Sequence, residues 1–132
     1  MEDLRVGSLH FLLDLSQPLY EQILDQMSGA VARGEIALGQ KIPSVREMAQ
    51  ALRVTPNTVM HAYQEMERLG LTETRRGQGT FITTSEQRVA RFRDEFARRA
   101  VQEFMEKMHH LGFSWEDILR YLRETRGGGE DQ

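Results

Sequence analysis

The side chains best placed for chemistry in this chain are hydroxyls, amides and guanidinium groups crowded between residues 41 and 80. Thr55-Pro56-Asn57-Thr58 sets two hydroxyls and a carboxamide on what the pattern makes the first turn of a helix, with His61 and Gln64 beyond them on the same side. Groups of this kind hydrogen-bond base edges or phosphates. Downstream, Arg75-Arg76-Gly77-Gln78-Gly79 joins two cations to a glycine-flanked tip. Such a tip can bring backbone close to a phosphate or enter a narrow minor groove, where Arg is favoured electrostatically. Covalent chemistry finds no comparable grouping. The chain has no Cys, and no nucleophile, base and orienting partner stand at a suggestive spacing. His109-His110 are sequence neighbours that point to different sides of a helix, so a metal site is not expected. The seven Met residues fit core filling. Gly77-Gln78-Gly79 lacks the companion residues of a phosphate loop or dinucleotide fingerprint. Neither an enzyme nor a cofactor is expected.

The elements that must hold these groups are set by spacing and caps. After Pro18, a favoured first-turn residue, Leu19, Ile23, Leu24, Met27, Ala30 and Val31 recur at helical spacing, which predicts a helix from Leu19 to Arg33 stopped by Gly34. Ser44 and Glu47 form an S-x-x-E capping box, and Val45, Met48, Ala49 and Leu52 supply the buried side of a short helix. Thr55 and Pro56 read as N-cap and N1 of a third helix reaching about Leu69 and Gly70. On that helix Val59, Ala62, Met66 and Leu69 share one face, with Tyr63 at its border. Asn57, Thr58, Met60, His61, Gln64, Glu65 and Arg68 take the other. LTETRRGQGTFITT changes to a hairpin pattern around the basic tip. The apolar run Leu9, Phe11, Leu12, Leu13 and Leu15, broken by Asp14, reads as a short strand or an arm packing on residues downstream of it.

The expected fold class is mostly α with a small β-hairpin: a winged helix-turn-helix followed by a C-terminal antiparallel helical hairpin for dimerisation. Ser85 opens a long helix to about Leu111, ended by Gly112. Ser114 and Asp117 start a last helix through about Arg123. Residues 1–84, with an arm at 1–15, form the expected DNA-binding domain, 85–125 the dimerisation unit, and 126–132 a tail without apolar residues, expected to be disordered. On the long helix Val89, Phe92, Phe96, Ala97, Ala100, Val101, Phe104, Met105, Met108 and Leu111 cover an arc wider than one neighbouring helix can bury. Only Trp115, Ile118, Leu119 and Leu122 remain in the chain to cover it. Two helices make a poor core alone, so a second copy is the expected partner. The alternative is packing of the long helix on its own winged domain. Paired readers also suit palindromic double-stranded DNA.

Pro18–Thr83 resembles the winged-helix DNA-binding domain of GntR-family bacterial transcription regulators, through PLYEQI, LGQKIPSVREMAQAL and VTPNTVMHAYQEMERLGLTETRRGQGTFI. LGFSWEDILRYL resembles the small YtrA-type subgroup, whose C-terminal part is a helical dimerisation unit. The resemblance implies phosphate contacts from Ser44 and Arg46, a recognition helix that starts with Thr55, Asn57 and Thr58, and a wing tip of Arg75, Arg76, Gly77 and Gln78. Lys41, Pro56, His61, Gly79 and Thr80 complete the expected DNA-binding set. Some family members carry Arg where this chain has Pro56 and Met60, so base readout here leans on Asn57, Thr58, His61 or the wing. The implied function is a repressor of an adjacent operon, with a transporter as the suggested target. A small-molecule effector, if one acts, would sit between wing and helical hairpin.

The net charge opposes this at first sight: 17 basic against 20 acidic residues leave −3, where a nucleic-acid binder is typically basic. Residues 40–84, however, hold Lys41, Arg46, Arg53, Arg68, Arg75 and Arg76 against Glu47, Glu65, Glu67 and Glu73, so the acidity lies mostly elsewhere. No stretch approaches the roughly 20 apolar residues of a membrane span, and a reducing, cytoplasmic compartment is expected. The competing reading is a winged-helix protein-interaction module without specific DNA binding. The acidic total and missing recognition-helix Arg favour it, and the intact wing opposes it.

Overall fold

The computed structural model describes residues 1–129. The chain divides into two units, Met1–Arg93 and the segment from Asp94 onward.

The first unit opens with a hairpin of β1 (Glu2–Val6) and β2 (Leu9–Leu13). Gly7, at φ +62°, occupies the first central position of the two-residue loop, where a positive φ matches the strand twist. The segment expected as strand or arm is thus half of a hairpin. Leu9, Phe11 and Leu13 alternate into the core while His10 and Leu12 face out. Helix α1 (Leu19–Ala32) comes directly after Pro18. Two of its glutamines seal the outer edge of β2. Gln26 accepts from the Leu12 N–H at 2.9 Å and donates to the Leu12 carbonyl at 2.6 Å. Gln22 does the same to Asp14 at 2.7 and 2.8 Å. One carboxamide satisfies both backbone groups that an unpaired strand residue would expose.

Strand β3 (Lys41–Ile42) leads into α2 (Val45–Leu52) and α3 (Pro56–Arg68). Strands β4 (Thr72–Arg75) and β5 (Gly79–Ile82) form the expected hairpin. The sheet order is β3-β5-β4, all neighbours antiparallel, with Lys41 opposite Phe81 and Ile42 opposite Thr80. Strand β3 carries no pattern of its own in the sequence. The two residues of β3 are too few to show a period, and only long-range pairing makes them a strand. Ile23, Met27, Ile42, Met48, Leu52, Val59, Met66, Leu71 and Ile82 are buried in one core with the N-terminal hairpin's apolar face.

Helix α4 (Glu86–His110) begins under a Ser85 cap, whose hydroxyl accepts the Arg88 N–H at 3.1 Å. Val89 and Phe92 pack against the core of the first unit. That corrects their expected place between copies: their own chain already covers them. In the second unit the rest of α4 and α5 (Trp115–Gly129) make up the C-terminal helical region. Ser114 and Asp117 cap α5 reciprocally, at 3.2 Å for the Asp117 N–H and 3.0 Å for the Ser114 N–H. Helix α5 runs past Arg123 through Gly129, so residues 126–129 are helical rather than part of a disordered tail. No proline interrupts the run, and Arg126 suits the negative end of the helix dipole. Residues 130–132 lie outside the described residues. Among the described residues no helix is long and apolar enough to cross a membrane.

Candidate nucleic-acid interface

The start of α2 is fixed twice over. The Ser44 hydroxyl accepts from the Glu47 N–H at 3.1 Å while the Glu47 carboxylate accepts from the Ser44 N–H at 2.9 Å. The box leaves the Ser44 O–H hydrogen and the first-turn N–H groups of Val45 and Arg46 for an outside acceptor. Helix N-termini of this kind attract phosphate. Arg46 and Lys41 are exposed and have no ion-pair partner among the described residues.

The start of α3 is built from Thr55 and Thr58, whose hydroxyls bond each other at 2.9 Å. The Thr55 oxygen also accepts the Thr58 N–H at 3.4 Å. One hydroxyl hydrogen of the pair is therefore spent locally. Pro56 contributes no N–H, so Asn57, exposed beside it, carries the first free amide and carboxamide of the helix. His61 is exposed but held: its ring meets Tyr20 of α1 edge-on at 5.6 Å. Arg68 is ion-paired with Glu65, which removes it from the free basic edge. Between α2 and α3 the chain turns at Arg53, which takes φ +60° at the C-cap. A non-glycine residue there costs about 1 kcal/mol.

In the wing, Gly77 at φ +76° makes the tip. The Arg75 guanidinium lies 4.2 Å from the Phe81 ring centre and 3.5 Å from the Glu73 carboxylate. The Arg76 and Gln78 side chains are exposed, without partners among the described residues. Gly79 has a close neighbour: a Cβ there would stand 2.8 Å from the Lys41 Cε. The lysine stem crosses the strand at the one position that lacks a side chain.

These parts meet in an open concavity of about 500 Å3 between wing and α2, lined by Lys41, Ser44, Glu47 and Thr74 through Thr80. The structure thus brings together Lys41, Ser44, Arg75, Arg76, Gly77, Gln78, Gly79 and Thr80 from the sequence-predicted set. Arg46 and the Thr55, Pro56, Asn57, Thr58 and His61 group lie outside that lining, on α2 and α3. Sequence reasoning missed Phe81 as the platform for Arg75, and Tyr63, whose buried phenol donates to the Pro43 carbonyl at 2.6 Å. Tyr63 offered one signal, a polar-tipped aromatic at the border of an apolar arc.

Residues 19–82 match the family described as "Bacterial regulatory proteins, gntR family". The HTH-type transcriptional regulator YhcF of Bacillus subtilis is 44% identical over 114 residues, 86% of this chain and 94% of that one. The chain belongs to the GntR family. It is a DNA-binding transcriptional regulator of that family. The HTH-type transcriptional repressor YtrA of B. subtilis is 34% identical over 110 residues, covering 83% of this chain and 85% of its own. A solved GntR family transcriptional regulator from Listeria monocytogenes superposes with a TM-score of 0.74 at 31% identity, over 85% of this chain and 98% of its own. That match runs through both units of this GntR protein. The DNA-binding domain of AraR, solved with its operator ORX1, superposes at a TM-score of 0.50 and 29% identity over 57% of this chain and 96% of its own.

In the second unit of this GntR regulator, Ile118 is fully buried, and Met105, Met108 and Leu119 are half-buried. Phe113 stacks edge-on with Tyr121 at 5.6 Å. Phe96, Ala100, Val101, Phe104, Leu111, Trp115 and Leu122 are exposed. Of the expected interface set, Ile118 is thus already covered within its own chain, and these seven form an outward apolar set.

Proposed function

We propose that this GntR regulator is a homodimeric, cytoplasmic repressor of an adjacent operon that binds a palindromic operator. Two α3 helices enter major grooves about one helical turn apart, or a multiple of it, and the wings add minor-groove or phosphate contacts. The observation that carries this reading is the concavity in which Lys41, Ser44, Arg75 and Arg76 converge beside the α2 N-terminus. In it, the Lys41, Arg75 and Arg76 cations gather around the Ser44 hydroxyl, and the one carboxylate in the lining, Glu47, is held by the Ser44 N–H at 2.9 Å. Thr55, Asn57 and Thr58 supply the first-turn contacts on α3, and His61, steadied by Tyr20, reaches a base from the next turn.

The dimer is supported by the second unit. Val101 is 60%, Leu111 65% and Trp115 52% exposed, more large apolar surface than an isolated two-helix unit leaves in water without a partner. The repressor assignment draws on the name of YtrA, and the transporter target on the YtrA-type resemblance. A gel shift with the upstream region of its own operon at two salt concentrations, paired with sedimentation, tests the whole reading. Specific binding that weakens steeply with salt is expected. A folded dimer that shifts no such DNA at micromolar concentration refutes it and leaves a protein-interaction module.

A further inference from the structure

The N-terminus of α2 is a phosphate-facing surface only if it is held at a fixed offset from α3, and one side chain bridges the two directly. Tyr63 lies on the buried side of α3, 6% exposed, among Val59, Ala62 and Met66. Its hydroxyl is the only polar side-chain atom of that group and donates to the Pro43 carbonyl at 2.6 Å across 20 residues of chain. Pro43 precedes the Ser44 cap and comes directly after β3, which pairs with the wing strand β5. The Pro43–Ser44 turn is therefore the junction of three parts: the wing through β3, α2 through its capping box, and α3 through Tyr63.

We propose that Tyr63 is a positioning residue for operator binding, its hydroxyl locking the Pro43–Ser44 turn, and with it the phosphate-facing start of α2, to the recognition helix. The inference rests on the DNA-reading function proposed above. Proline cannot donate, and its carbonyl is the acceptor that fixes where the turn sits. The apolar packing of Tyr63 would survive loss of the hydroxyl; the offset would not. Burial and the nearby Glu47 carboxylate both push the phenol pKa upward, so the hydroxyl is protonated and can donate at neutral pH.

The test is a double-mutant cycle on the full-length protein with its operator, using Tyr63→Phe and Arg46→Ala. Loss of one hydrogen bond in the positioning network predicts about a fivefold to tenfold weaker operator complex for Tyr63→Phe. The two changes should be non-additive, because Tyr63→Phe acts through the helix start that presents Arg46. Amide exchange at Glu47 and Met48 should quicken in Tyr63→Phe while the core amides of α3 keep their protection. Wild-type affinity in Tyr63→Phe overturns the proposal, as does full additivity with Arg46→Ala. If the unmodified protein binds no operator, the function itself fails. If it binds and Arg46→Ala weakens it while Tyr63→Phe does not, only the positioning role fails.

Discussion

Arg76→Ala is the sharpest probe of the wing. Arg76 is exposed at the tip and has no ion-pair partner among the described residues, so none of their carboxylates competes for its charge. If Lys41, Arg46, Arg75 and Arg76 each meet one phosphate in each half of a dimer, the logarithm of affinity falls against the logarithm of salt with a slope of about −7. Removing Arg76 deletes two contacts and should flatten the slope by about 1.8. Between 50 and 200 mM salt, the advantage of the unmodified protein should therefore shrink about tenfold. Arg75→Ala should move the slope less, because Glu73 at 3.5 Å and the Phe81 ring already hold that guanidinium. Fluorescence anisotropy with a labelled operator at four or five salt concentrations gives both slopes. An unchanged slope for Arg76→Ala, in a protein that is still folded and dimeric, removes Arg76 from the mechanism.

Three further outcomes are expected. Phe104→Asp places a charge on a side chain that is 39% exposed in the outward apolar set; sedimentation should show monomers and the operator complex should be lost, whereas a persisting dimer would locate the interface elsewhere. Arg53→Gly relieves a non-glycine residue at φ +60° and should stabilise the fold by up to about 0.5 kcal/mol after the extra entropy of glycine in the unfolded chain is counted. Thermal denaturation that shows no rise in midpoint would mean the Arg53 side chain compensates for its backbone. Asp117 is held below the ordinary carboxylate range by the Ser114 backbone and side chain and by Arg120. Its contribution to α5 is thus complete above its unfolded value of about 3.9 and disappears as the pH falls through its lowered native value. Circular dichroism should show that acid step blunted in Asp117→Asn, and an identical acid profile would clear Asp117 of the role.

What the sequence disclosed was governed by the range of the interactions. Helices α2 and α3 were legible because their signals are local: Ser44 and Glu47 satisfy each other across three residues, and Thr55-Pro56 starts a helix regardless of what packs on it. The wing was legible for the same reason, since Gly77 and the Thr-rich flanks specify the turn. Strand β3 was not, because Lys41 and Ile42 become a strand only by facing Phe81 and Thr80. The N-terminal hairpin was half legible. The run Phe11-Leu12-Leu13 hides the alternation in which Leu12 is the outward residue, and the Gln22 and Gln26 clamps act across 8 and 14 residues. At the candidate interface, residue identity singled out the proposed contact groups but not their holders. Phe81 under Arg75 and the phenol of Tyr63 are supports, and support depends on tertiary placement.

The acidic total acquires a mechanical meaning once the pairs are assigned. Of the six basic groups between residues 40 and 84, Arg68 is tied to Glu65 and Arg75 to Glu73. Lys41, Arg46, Arg53 and Arg76 remain without ion-pair partners among the described residues. Four cations per chain within a molecule of net −3 create a weak general field, so little affinity accrues for DNA of arbitrary geometry. Affinity must then come from simultaneous contact: the cations, the free amides at the starts of α2 and α3, and the wing tip all finding acceptors at once. Contacts that count only together are the ones most sensitive to the offset between their elements. On the positioning role proposed for Tyr63, the hydroxyl of a buried tyrosine that touches no DNA should therefore weigh on operator binding about as much as an exposed arginine.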